Sequence, residues 1–200
     1  MGDPISPLLA TTDHMPSRAV LRDGSIVQLR LAVPGDHDAL TRFFHRLSLE
    51  SLRRRFFGAA EPSTTLLDTF CTSAQPAQAA TVLALRPIEG VERPIAVASY
   101  FRIDGAAAEV AFAVDDQFHG QGVGTLLLGR LAELASAQGF TRFEALTLPD
   151  NAPMLDMLRD SGFEEHVKNE RGCVTVQLSL AHGHVPRPFS TPQARPSESR

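Results

Sequence analysis

Residues 108–128 read AEVAFAVDDQFHGQGVGTLLL. The stretch couples a strand-like segment carrying one acid, Glu109, to a glycine-rich turn, His119-Gly120-Gln121-Gly122-Val123-Gly124, that opens a helix. A helix N-terminus preceded by glycines offers backbone N–H groups without intrahelical acceptors and the positive end of the helix dipole. Together these bind phosphate oxygens. In the alternating register of a strand over Ala107–Val114, Glu109 shares a side with Ala111 and Ala113, while Val110, Phe112 and Val114 face the other way. Glu109 reads as buried, with small neighbours that leave room for a substrate. Such a carboxylate can take a proton from a bound group.

Two phosphate loops do not fit. A P-loop needs a lysine after its last glycine, and none follows here; a dinucleotide fingerprint needs a third glycine where Thr125 or Leu127 stands.

Outward from this stretch, helical and strand patterns alternate. Residues 25–33 are β-rich, and Pro34 opens a helix whose Leu40, Phe43, Phe44 and Leu47 form an apolar stripe. Ser48 with Ser51 suits the cap of a short helix ending near Phe57. A third helix begins near Ser63, with Leu66, Leu67 and Phe70 on one face. Strands are expected at 80–85 and 95–103, with Asp104-Gly105 turning the chain into Ala107–Val114. The helix after the glycines buries Val123, Leu126, Leu127, Leu131 and Leu134 and stops at Gly139. A strand at 142–148, a helix at 151–161 and strands at 163–168 and 173–180 follow. This order supports an α+β fold, a mostly antiparallel sheet with helices on both faces.

The 200 residues, 43% hydrophobic, suit one domain over 18–181 between disordered ends at 1–17 and 182–200. A net charge of −4 implies no general attraction to nucleic acid or membrane. No apolar run approaches the roughly 20 residues of a membrane span, and the first residues lack the pattern of a secretory signal, so a cytoplasmic location is expected. Cys71 and Cys173 have no metal-ligand spacing and read as reduced, packed thiols. His182 and His184 read as solvated, so no metal is expected.

Gly122-Val123-Gly124, preceded by His119, resembles the acyl-CoA loop Gln/Arg-x-x-Gly-x-Gly/Ala of the GNAT acetyltransferase superfamily. His119 takes the Gln/Arg position. Leu47-Ser48-Leu49-Glu50-Ser51 with Arg55-Phe56-Phe57, the opening Arg22-Asp23-Gly24 and Pro34-Gly35-Asp36, the run Ala108–Phe112, and Asn151-x-x-Met154-Leu155 with Gly162-Phe163 are similar to the GNAT domain of bacterial Pat-type protein-lysine acetyltransferases.

The resemblance implies a GNAT-like fold, a central mixed sheet whose splayed strands form an acyl-CoA cleft, and acetyl-CoA as the acyl donor. It implies Glu109 as general base. It implies that the backbone of Phe112, Ala113 and Val114 pairs with the pantetheine arm, and that His119, Gly120, Gln121, Gly122, Val123, Gly124 and Thr125 cradle the pyrophosphate. Asn151 is a helix N-cap, a pantetheine contact, or both. Many members carry a tyrosine acid at the position of Leu158; the only tyrosine here is Tyr100, on another strand. Arg53 and Arg54 read as a solvated helix face, and Arg55 as structural.

The implied acceptor is a protein lysine, an acyl-CoA synthetase being one such partner. A small amine is the second reading, and an acyl-CoA-binding regulatory module without turnover the third. The residues before Arg18 are too few for a cyclic-nucleotide-binding domain, so no response to cAMP is expected.

Overall fold

The computed structural model describes residues 16–58, 60–72, 75–170 and 172–180. Most of the expected N-terminal segment and all of the C-terminal tail, with His182 and His184, lie outside the described residues.

Eight strands form one sheet. In chain order they are β1 (Ser17–Val20), β2 (Ile26–Leu31), β3 (Ala79–Ile88), β4 (Val91–Asp104), β5 (Ala107–Val114), β6 (Arg142–Thr147), β7 (Glu165–Glu170) and β8 (Cys173–Ser179). The helices are α1 (His37–Arg46), α2 (Leu49–Phe56), α3 (Thr64–Cys71), α4 (Val123–Ala137) and α5 (Ala152–Arg159). The spatial order is β1-β2-β3-β4-β5-β6-β8-β7. Every neighbouring pair is antiparallel except β5 and β6. A parallel pair requires a crossover, and the glycine loop with α4 supplies it.

The central strands are covered on both faces, which is why they read as continuous apolar runs rather than strict alternations. On one face Val82, Ala98 and Val110 pack with Leu127 and Leu131 of α4 and Leu158 of α5. On the other, Leu83, Val97 and Ala113 pack with Leu40, Phe43 and Phe44 of α1 and Leu67 and Phe70 of α3. Phe44 is the hinge of this second core. Its ring centroid lies 5.1 Å from Phe43, 5.6 Å from Phe56 and 6.1 Å from Phe70.

Two features depart from the sequence reading. Strand β1 was not expected, because Ser17–Val20 is short and largely exposed and carries little apolar signal. It forms by pairing with β2. Strands β3 and β4 also run beyond the expected 80–85 and 95–103, through Pro87 and Pro94, to a tight turn at Glu89-Gly90 with both φ positive. Pro94 is tolerated because the register shifts beside it, between Ala84 and Leu85, and a bulge needs one ladder N–H fewer.

Phe44→Ala should lower unfolding stability by about 3–5 kcal/mol, whereas Leu49→Ala, at a side chain 70% exposed, should change it by about 0.5 kcal/mol or less. Urea denaturation of the two variants checks this.

Candidate active site

The pairing of β5 with β6 is brief. It joins Ala107, Ala108 and Glu109 to Arg142, Phe143 and Glu144 and then stops. Beyond Glu109, β5 continues along β4 to Val114, while β6 continues along β8 to Thr147. The two strands therefore fork, and a cleft of about 390 Å³ opens between them. One wall is Ala111, Phe112, Ala113 and Val114 of β5; the other includes Leu146 and Thr147 of β6 and Met154 and Met157 of α5.

The floor is the glycine loop. Gly122, at φ 86°, is the N-cap of α4 and has no side chain with which to cap it. By contrast Ser48, Ser63 and Asn151 accept hydrogen bonds from the first turns of α2, α3 and α5. The first backbone bond of α4 runs from Leu126 N to Gly122 O, 3.2 Å. The N–H groups of Val123, Gly124 and Thr125 precede it, and these three residues line the cleft. A helix of 15 residues thus points its uncapped positive end into a fork of the sheet. Gly124 also keeps the floor low: a Cβ there would meet only Met157 side-chain atoms, at 3.7 and 3.9 Å.

The expected site residues are largely brought together. Phe112, Ala113, Val114, His119, Gly120, Gly122, Val123, Gly124, Thr125 and Asn151 all line the cleft. His119 Nε2 lies 3.0 Å from Val114 O, which ties the loop to the end of β5. Gln121 does not line the cleft; its Nε2 donates to Gln117 O at 3.2 Å. Asn151 is the N-cap of α5, accepting from Met154 N and donating to Thr147 Oγ1 at 2.9 Å. Leu158 is buried, and Tyr100 donates its hydroxyl to Pro76 O at 2.6 Å, inside the core.

Glu109 is exposed, not buried. It sits at the crotch of the fork, on the same side of β5 as Ala111, which does line the cleft. Helix α2 packs over this side of β5 and brings Ser51, Arg54 and Arg55 to the cleft. The Arg55 guanidinium lies 4.9 Å from the Phe56 ring centroid and 5.6 Å from that of Phe70. Burial lowers its pKa to about 10, with the charge of Glu109 pulling the other way. It remains a cation at neutral pH.

Several polar contacts hold the walls, and those from Asp116 and Asp150 are not legible in sequence because they join distant segments. Asp116 accepts from Ser48 N (2.9 Å), Ser48 Oγ (2.7 Å) and Ser51 Oγ (2.8 Å), fastening α2 to the start of the loop. Arg53 is not simply solvated: it bridges Glu50 and Asp150, the residue before Asn151. Arg54 pairs with Glu50 at 2.8 Å. Arg22, in the turn between β1 and β2, also lines the cleft.

The acetyltransferase (GNAT) family matches residues 46–163. The chain belongs to the GNAT acetyltransferase family. Among curated relatives, Acetyltransferase Pat of Mycolicibacterium smegmatis (strain ATCC 700084 / mc(2)155) is 29% identical over 163 residues, 80% of this chain and 47% of that protein. The chain thus spans about half the length of that relative. Among solved structures, the GNAT domain of S. lividans PAT matches with a TM-score of 0.74 and 30% identity, over 82% of this chain and 96% of that one. A cAMP-binding acyltransferase from Mycobacterium smegmatis matches with a TM-score of 0.60 and 26% identity, over 90% of this chain and 51% of that one. The GNAT fold read from the glycine loop and its flanks is the fold observed. Among the described residues, no helix is long and apolar enough to cross a membrane.

The Asp116 fastening makes a pH prediction. Partial burial raises its pKa, but the bonds from Ser48 N, Ser48 Oγ and Ser51 Oγ outweigh this and hold it below the usual carboxylate value. A folded-state pKa below the unfolded one, about 3.9, gives stability that is full above the unfolded value and lost as pH falls through the folded one. Asp116→Asn should therefore be less stable than wild type by a constant margin from neutrality down to about pH 5. The margin should close at lower pH, read as the difference in urea midpoints across a pH series.

Proposed function

We propose that the chain is an acetyl-CoA-dependent N-acetyltransferase that acts on a protein lysine, with Glu109 as general base. The observation that carries the reading is the fork: a strand edge left without a partner, ending at an uncapped helix N-terminus. The free edge suits the pantetheine arm, which pairs as an added strand would. The N–H groups of Val123, Gly124 and Thr125 suit the pyrophosphate. In this scheme His119, Gly120 and Gly122 to Thr125 cradle the phosphates, Phe112 to Val114 hold the arm, and Asn151 fixes the opposite wall. The site so described needs no metal.

A lysine ammonium has a pKa near ~10.4, so almost none of it is nucleophilic at neutral pH. The proton passes to the Glu109 carboxylate, directly or through one water, as the nitrogen attacks the thioester carbonyl carbon. The attacking nitrogen gives up its second proton to solvent, the carbon–sulfur bond breaks, and CoA leaves as a thiolate. With Leu158 apolar and the Tyr100 hydroxyl held by Pro76 O, the thiolate takes its proton from solvent.

The Pat relatives support a protein lysine as acceptor, and an acyl-CoA synthetase is one such substrate. The α2 wall adds to this: Arg54 and Arg55 line it, and two cations disfavour a polyamine. On this reading the protein works in the cytoplasm.

Glu109→Gln keeps size and polarity but cannot accept a proton. Acetyl-CoA affinity should hold while turnover on a lysine peptide falls about 10²–10⁴-fold at neutral pH. The defect should shrink as pH rises toward the lysine pKa. Unchanged turnover would remove Glu109 from the mechanism and favour a binding module without turnover.

A further inference from the structure

The glycine loop is not alone at the floor of the cleft. Arg22 reaches it from the turn between β1 and β2, at one edge of the sheet and well outside the matched family segment. Two bonds seat it there. Its backbone N donates to Gln121 O at 3.1 Å, and its Nη1 donates to Gly120 O at 3.3 Å across 98 residues of sequence. The carbonyls of the loop thus face Arg22 on one side while the α4 N–H groups face the cleft on the other. The side chain is exposed and contributes to the cleft lining next to Gly120 and Gly122.

We propose that Arg22 is a specificity-determining residue whose guanidinium contacts the diphosphate of the acyl donor, making the enzyme select nucleotidyl thioesters over pantetheine thioesters. The inference rests on the acyl-CoA reading of the cleft. Backbone N–H groups bind a phosphate oxygen but supply only partial charge, whereas a guanidinium presents full charge in a planar fork that matches phosphate geometry. The bonds to Gly120 and Gln121 hold that fork against the loop, so donor binding orders little that is not already ordered. On that reading the pantetheine end of the donor lies along β5, whereas Arg22 is bonded to the glycine loop.

The test compares wild type, Arg22→Ala and Arg22→Lys by calorimetry against CoA, dephospho-CoA and pantetheine. Arg22→Ala should lose about ten-fold or more in affinity for CoA, the range of a charge-assisted hydrogen bond. It should lose the same factor for dephospho-CoA and less than about two-fold for pantetheine. Arg22→Lys should recover part of the loss, and the gap between wild type and Arg22→Ala should narrow as salt rises. Equal CoA affinity in wild type and Arg22→Ala overturns the assignment. So does an equal loss for pantetheine, which would mean that the substitution disturbs the whole cleft, and so does a loss that neither salt nor Arg22→Lys reduces, which would mean that Arg22 only shapes the loop. A loss for CoA that vanishes with dephospho-CoA moves the contact to the 3′-phosphate and also overturns it. Absence of CoA binding by folded wild type would instead bring down the acyl-CoA reading itself.

Discussion

Backbone groups in a sheet must find partners, and at one place in the interior of this sheet two neighbouring strands stop supplying them to each other. After Glu109 and Glu144, β5 and β6 stop pairing and follow different neighbours. Everything functional hangs on that divergence. Among the described residues β5 and β6 are the only parallel pair, so the segment that leaves β5 must climb over the fork before returning as β6. Its loop and the N-terminus of α4 are thereby delivered to the mouth of the opening they bridge. Unpaired strand backbone and uncapped helix backbone meet in one concavity, and both are costly to leave unsatisfied except by water or a ligand.

A fork is held open only if its arms are braced. On one side Arg46 joins Asp115 at 3.4 Å and donates to Pro94 O, while Asp116 fastens Ser48 and Ser51. On the other, Asp150 meets Arg53 from α2, so one short helix touches both arms. Helix α2 therefore links the two arms of the fork. Arg55 belongs to the same helix; its guanidinium lies near the rings of Phe56 and Phe70 and carries its charge toward the crotch where Glu109 stands.

What could be read in advance was local. The alternation of Ala107–Val114, the three spaced glycines, the serine caps of α2 and α3 and the stop at Gly139 each carry their meaning within a few residues, and each is found in place. The face assignment of β5 also follows from period alone: Val110, Phe112 and Val114 pack toward α4, and Ala113 toward α1. Pattern does not report what depends on remote partners. Strand β1 exists because β2 is there to pair with it, and Pro94 sits in a strand because a bulge absorbs it. Arg53 looks like an ordinary surface cation until the fold carries it to Asp150, and Arg22-Asp23-Gly24 shows nothing of the bond from Arg22 to Gly120. The exposure of Glu109 is likewise not legible, since alternation gives its side of the strand but not what covers that side.

The central claim is that the concavity at the fork is an acyl-CoA site built from backbone. The most direct measurement is calorimetric titration of the folded chain with acetyl-CoA, set beside Gly124→Val. The free cleft has room near Gly124, with only Met157 side-chain atoms in reach, so the variant should fold with an unchanged circular dichroism spectrum. The account predicts saturable one-site binding to wild type and its loss in Gly124→Val, where the new side chain occupies the approach to the N–H groups. Near wild-type affinity in the folded variant, or no binding to wild type, would contradict it.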